Sequence, residues 1–160
     1  MSIIIADTGA IISLAVVGQI ELIEKIFDKF YIAGAVWEEI QVYKNLAFSE
    51  RTLDFLQEHI VKIKSTNYLS MVMDYGEAES VILYKEINAD FLLIDDNKAR
   101  TIAESLDVNC IGTIGLLLKG KQKGFLMALK PIFEILIDNN RFYSKNLLND
   151  ILEQTGEEPI

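Results

Sequence analysis

The sequence predicts an α/β fold, a parallel sheet sandwiched by helices in three layers, with a helical C-terminal extension over residues 125–160 of a single domain spanning residues 1–160. Short β-branched apolar runs alternate with stretches whose apolar residues recur at helical spacing. Two of the runs, Ile3–Ile5 and Phe91–Ile94, contain no polar residue, as expected of strands buried on both faces. Strands separated by helices imply parallel pairing through crossover connections.

The elements follow in order. Ser2–Ala6 reads as the first strand, lying inside the sheet. Ile20, Ile23, Ile26 and Phe27 repeat at helical spacing, and Phe30–Ile32 reads as the second strand. Val36–Tyr43 and Glu50–Glu58 are helical. Ile60–Ile63 alternates as an edge strand would. A helix from about Gly76 to Asn88 precedes the strand Phe91–Ile94. Ala99, Ile102, Ala103 and Leu106 mark one face of the next helix, Val108–Ile111 is a strand, and Ile114, Leu117 and Leu118 face the core from the helix after it. Two further stripes, Leu129–Ile137 and Leu148–Leu152, make the C-terminal helices.

Composition narrows the function. The chain has 160 residues, 51% of them hydrophobic, which suffices for a real core and is too much for a disordered chain. Apolar runs stay short of the roughly 18 to 20 residues that a membrane span needs. The opening carries no basic region before its apolar run, so a cytosolic protein without membrane association is expected. Fifteen Lys and Arg against 24 Asp and Glu leave a net charge of -9. Phosphate binding usually needs a basic face, so any nucleic-acid chemistry here must rely on a few placed cations or on metal ions. The basic run Lys119–Lys123 reads first as a helix end that favours cations. With one Cys and one His, a zinc site is not expected. Cys110 reads as a small core residue, His59 as a surface or capping residue.

In parallel sheets, ligands bind beyond the carboxyl ends of the strands. Asp7 directly follows the first strand, and Asp95 and Asp96 directly follow Phe91–Ile94. Each of these aspartates has an ordinary alternative as a helix cap. Two glutamates approach from helices. At roughly 100° per residue, Val36, Trp37, Ile40 and Tyr43 define an apolar side, with Glu39 at its flank and Glu38 pointing away. Glu77 sits at a helix start, where the dipole favours a carboxylate in any case, and Glu79 is assigned to the solvent face. Taken together, the acids suggest more than caps: crowded carboxylates repel one another unless they hold cations, and an all-oxygen set suits Mg²⁺ or Mn²⁺.

These blocks resemble a known family. Ile4-Ile5-Ala6-Asp7-Thr8-Gly9-Ala10 is similar to the opening of PIN domains, and Val36-Trp37-Glu38-Glu39-Ile40 to the block carrying their second acid. Gly76-Glu77-Ala78-Glu79-Ser80, Leu92-Leu93-Ile94-Asp95-Asp96-Asn97-Lys98-Ala99-Arg100 and Ile111-Gly112-Thr113-Ile114-Gly115 resemble a VapC-like subgroup marked by Gly-Glu-Ala-Glu and Asp-Asp-x-x-Ala-Arg. The resemblance runs from Ile4 to about Gly124, and the order and spacing of its blocks are its most specific feature. It departs from many PIN toxins at Glu77, where they carry Asp, and at Ile94, where they carry Thr.

The resemblance implies a ribonuclease that cuts single-stranded RNA with Mg²⁺ or Mn²⁺. It assigns Asp7, Glu39, Glu77 and Asp96 as metal ligands, with Asp95 as a catalytic neighbour or substitute. It leaves Thr8, Thr113, Lys98 and Arg100 as substrate contacts, although helix-start hydroxyls and a solvated face explain them about as well. A small antitoxin partner and a homodimer are also implied. Another class is a catalytically degenerate fold of the same kind acting as a binding module. Asp7-Thr8-Gly9 also matches the aspartic-protease signature, but that chemistry needs two such aspartates in an all-β fold. A haloacid-dehalogenase-like site would want Asp where Gly9 stands.

Overall fold

A computed structural model of the protein describes residues 1–160, apart from the side chains of residues 44–47. The chain runs β1 (Ile3–Ala6), α1 (Thr8–Val16), α2 (Leu22–Ile26), β2 (Lys29–Ala33), α3 (Gly34–Ala47), α4 (Glu50–Gln57) and β3 (Ile60–Val61). It continues through α5 (Tyr75–Glu86), β4 (Phe91–Leu93), α6 (Asn97–Ser105), β5 (Cys110–Ile111), α7 (Thr113–Gln122), α8 (Lys130–Asp138) and α9 (Lys145–Gln154).

The five strands form one parallel sheet in the order β3-β2-β1-β4-β5, with helices on both faces in a three-layer α/β/α arrangement. The first strand is therefore central. Ile4 pairs with Phe30 on one side and with Phe91 on the other, and Ile4, Ile5 and Ala6 are fully buried. Burial on both faces is why this strand reads as an unbroken apolar run. Ile60–Val61 takes the edge position that its alternation suggested. Among the described residues, no helix is long and apolar enough to cross a membrane.

Helix α5 packs across β1, β2 and β4 and against α3. It is buried along nearly its whole length, and this corrects the assignment of Glu79 to the solvent face. Glu79 is only 8% exposed, and its Oε1 accepts a hydrogen bond from the Ala35 N–H at 3.0 Å. A helix enclosed on several sides has no solvent face for periodicity to find. The buried charge is instead satisfied at the start of α3, where orphan N–H groups and the helix dipole favour it.

The C-terminal segment is tied in by Glu157. Its carboxylate accepts from Lys121 Nζ at 2.6 Å, from the Leu129 and Lys130 N–H groups at 2.8 and 3.1 Å, and from Thr155 Oγ1 at 2.9 Å. Burial pushes this carboxyl up, but the Lys121 ammonium and the other donors outweigh it and hold the group at about 2. With the folded-state value depressed, the stabilisation is present above the ordinary value of 4.5 and is lost as pH falls toward 2. Glu157→Ala is expected to cost about 1–3 kcal/mol at neutral pH, read from urea denaturation. An unchanged midpoint would remove the clasp from the stability of the fold.

The basic run at Lys119–Lys123 is likewise structural in part. Lys119 lies over the rings of Phe27 and Phe91, 5.6 and 5.7 Å from their centroids, and Lys121 is paired with Glu157. His59 closes the end of α4, with Nδ1 2.6 Å from the Phe55 carbonyl and Nε2 2.8 Å from Glu24.

Candidate active site

The site is built at the carboxyl end of the central strands. Asp7 leaves β1 and occupies the N-cap position of α1, yet its side chain makes no capping bond. The residue is 6% exposed, and its Oδ1 is buried without a hydrogen-bond partner. Burial pushes the carboxyl up to about 7; the N–H dipoles of Thr8 and Gly9 pull against this, and the charges of Glu77 and Glu39 reinforce it. A buried polar oxygen with no partner is rare because it costs about 1–3 kcal/mol. Here the carboxyl also carries the repulsion of Glu77 and Glu39.

Glu39 reaches the same place from α3. Its Oε2 accepts from Thr8 Oγ1 at 2.5 Å and its Oε1 from the Gly76 N–H at 3.0 Å. The second bond places a carboxylate against the first turn of α5, where the dipole favours negative charge. It also explains the glycine. A Cβ at Gly76 would collide with Glu39 Oε1, so any larger residue would displace the carboxylate. The neighbouring Glu38 is exposed, as the helical phase of α3 required.

Glu77 follows Gly76 in the first turn of α5 and accepts from the Asp74 N–H at 3.3 Å. Its carboxyl is held above the usual range, first by burial and then by the charges of Asp74, Asp96 and Glu39. The two aspartates after β4 differ in their environments. Asp95 is fully engaged, accepting from the Thr113 N–H and hydroxyl at 2.7 Å each and from the Tyr143 hydroxyl at 2.6 Å. Asp96 caps α6, with Oδ2 accepting from the Ala99 N–H at 2.8 Å, and is otherwise open to solvent.

Asp7, Glu39, Glu77, Asp95 and Asp96 all line one open cleft of about 770 Å³. Among the described residues, no three Asp, Glu, His or Cys side chains are already drawn together as a chelating set. The donors nevertheless suit a hard divalent cation: all are carboxylate oxygens, Asp7 Oδ1 has no hydrogen-bond partner, and the carboxyls of Asp7 and Glu77 are each raised in part by the charge of Glu39.

The expected substrate contacts fall differently. Thr8 lines the cleft, with its hydroxyl directed to Glu39. Thr113 is fully buried, and its hydroxyl donates to Asp95 at 2.7 Å. Arg100 pairs with Glu104 at 2.9 Å and leans toward the Cys110 carbonyl, outside the acidic cleft. Lys98 is exposed beside Glu77 and Asp96 in a neighbouring depression. Cys110 lies half-buried on β5, with burial pushing its thiol up to about 11, which makes it a poor nucleophile.

Sequence reasoning missed a third side of the cleft. Asn140, at φ 60°, ends α8, with the Arg141 N–H bonded back to the Leu136 carbonyl at 2.8 Å. This left-handed termination turns Arg141, Phe142 and Tyr143 toward the strand ends. Arg141 donates to the Gly9 carbonyl at 2.8 Å and to Ser13 Oγ at 2.9 Å. The Tyr143 hydroxyl sits 2.8 Å from Ser13 Oγ and donates to Asp95; burial and the Asp95 charge hold its ionisation well above the usual range. The available signal was an Asn-Asn turn followed by a cation and two aromatics between two apolar stripes.

A family model described as a PIN domain matches residues 3–157 of the chain. A search among curated proteins returns no match.

Proposed function

The chain belongs to the PIN-domain family, whose fold is generally that of a nuclease, and from that premise we propose that it is a cytoplasmic ribonuclease that cuts single-stranded RNA with Mg²⁺ or Mn²⁺. The observation that carries this reading is the buried, unpartnered Oδ1 of Asp7, a residue that lines one cleft together with Glu39, Asp74, Glu77, Asp95 and Asp96.

Asp7, Glu39, Glu77 and Asp96 would hold the cation, whose chemistry is to activate a water and to stabilise the leaving oxygen of a phosphodiester. Asp7 is the anchor, because the central strand and the packing around it hold its carboxylate in place. Glu39 is steered by Thr8 and Gly76. Glu77 and Asp96 stand on the more open side, each with a carboxylate oxygen not bonded to a backbone N–H. Asp95, with three donors on its carboxylate, is a positioning residue in this reading. It ties the ends of β4 and α7 to the loop carrying Tyr143.

Two helix neighbours test the assignment. Glu39→Gln is expected to lower cleavage of a labelled single-stranded RNA by at least about tenfold, whereas the exposed Glu38→Gln should match wild type. Equal effects from the two would sink the site. Gly76→Ala is expected to behave like Glu39→Gln while the protein stays folded. Alanine favours a helix by about 1 kcal/mol over glycine, so a loss of activity without unfolding would trace to the displaced carboxylate. Wild-type activity in Gly76→Ala would show that the position of Glu39 does not matter.

A second reading, a degenerate binding module, is favoured by the absence of a ready chelating set among the described residues. Calorimetric titration with Mn²⁺ separates the two, since the module requires no binding. For the VapC-like assignment we propose a homodimer and a small antitoxin partner. The exposed Met71 and Val72, beside the acidic residues, offer apolar surface for such contacts. Light scattering at the monomer mass across micromolar concentrations would refute the dimer.

A further inference from the structure

The acidic cleft adjoins a second cavity of about 700 Å³, bounded by the start of α7 on one side and by residues 140–151 on the other. Asp95, Asn97, Arg141 and Phe142 line both. Arg141 and Phe142 thus stand as a ridge between the carboxylates and the adjoining space.

Their chemistry is unlike the rest of the cleft. Among the described residues, Arg141 is the only Lys or Arg lining the acidic cleft. It forms no ion pair among them, in contrast to Arg51 and Arg100. Its Nε and one terminal nitrogen are fixed by Ser13 and Gly9, which orients the guanidinium without neutralising it. Phe142 is 75% exposed, a large apolar ring held in solvent at the mouth of a cavity. Asn97 and Asn140 add amide groups along the adjoining wall. On a chain of net charge -9, the six carboxylates that line the cleft, Asp74 among them, repel a phosphate backbone, so a strand needs a cation beside them to be held. An unstacked base has a π-face that an exposed aromatic can cover whatever its sequence, and a guanidinium suits the phosphate next to it.

We propose that Arg141 and Phe142 hold the RNA strand, Arg141 at the phosphate beside the acidic cleft and Phe142 stacked on the base that enters the adjoining cavity. The assignment rests on the ribonuclease reading and adds to it the binding site for one nucleotide. It makes the loop between α8 and α9 a substrate-binding element and explains a single-strand preference, since a paired base is not free to stack on Phe142.

The test is steady-state cleavage of a fluorescein-labelled single-stranded RNA by the full chain in Mn²⁺. Phe142 is exposed, so Phe142→Ala should fold and melt like wild type. It is expected to raise KM about tenfold with little change in kcat, and Phe142→Tyr should restore KM. Arg141→Gln should also raise KM, and should reduce the slope of log KM against log salt by about 0.7, the loss of one phosphate contact on a single strand. An unchanged KM in Phe142→Ala, or a loss confined to kcat, would overturn the ridge and leave the ribonuclease reading standing. No cleavage by wild type with any divalent metal would overturn both.

Discussion

Asp7→Asn is expected to make the metal-free protein more stable at neutral pH, although it removes a residue from the centre of the site. The Asp7 carboxyl stands at about 7 instead of 3.8, chiefly through burial, with Glu77 and Glu39 adding to it. A folded-state value above the unfolded one means that the native chain binds the proton more tightly. The resulting stabilisation is complete below 3.8 and is lost as pH rises through about 7. The loss is on the order of 4 kcal/mol. Asparagine keeps the shape without the charge and removes this term. Its buried amide costs about 1–3 kcal/mol if left unpaired, so the charge dominates and the variant gains overall. Thermal melts in EDTA between about pH 4 and pH 9 check it. Wild type should lose stability as pH rises from 3.8 to about 7, while Asp7→Asn stays flatter and crosses above it before neutrality. A variant less stable than wild type throughout, with the same slope, would mean that Asp7 is not a repelled carboxylate.

Mn²⁺ should reverse the order. A ligand bound by the native state alone stabilises by about 2.7 kcal/mol at a hundredfold excess over Kd. For a chain of this length that is a gain of roughly 5–10 °C in Tm. The gain should be larger above neutral pH than below it, because Asp7 must lose its proton to serve as a ligand. Asp7→Asn should show little of it. Equal shifts in the two proteins would place the cation elsewhere.

The parts of this architecture that were legible are those written locally. Three isoleucines in a row placed β1 inside the sheet, and the phase of α3 separated Glu39 from Glu38. The acids gather at the strand ends because parallel sheets present those ends together. The parts that were not legible depend on contacts across the chain. Arg141 meets Gly9 and Ser13, and Tyr143 meets Asp95, across separations of 132, 128 and 48 residues. No local pattern encodes them, and the apolar stripes on either side mark only the two C-terminal helices. Thr113 and Asp95, 18 residues apart, are one hydrogen-bonded unit, a pairing that no local pattern shows. Glu79 was misplaced for a related reason: its layer encloses α5, and burial of a charge there is set by the neighbouring helix α3.

The most direct measurement is cleavage of one labelled single-stranded RNA by highly purified wild type and Asp7→Asn, side by side, each with Mn²⁺ and with EDTA. Wild type should cut in Mn²⁺ and stop in EDTA, and Asp7→Asn should fail in both while melting as a folded protein. Cutting by Asp7→Asn at the wild-type rate, or cutting by wild type that survives EDTA, would contradict a metal-dependent site built on Asp7.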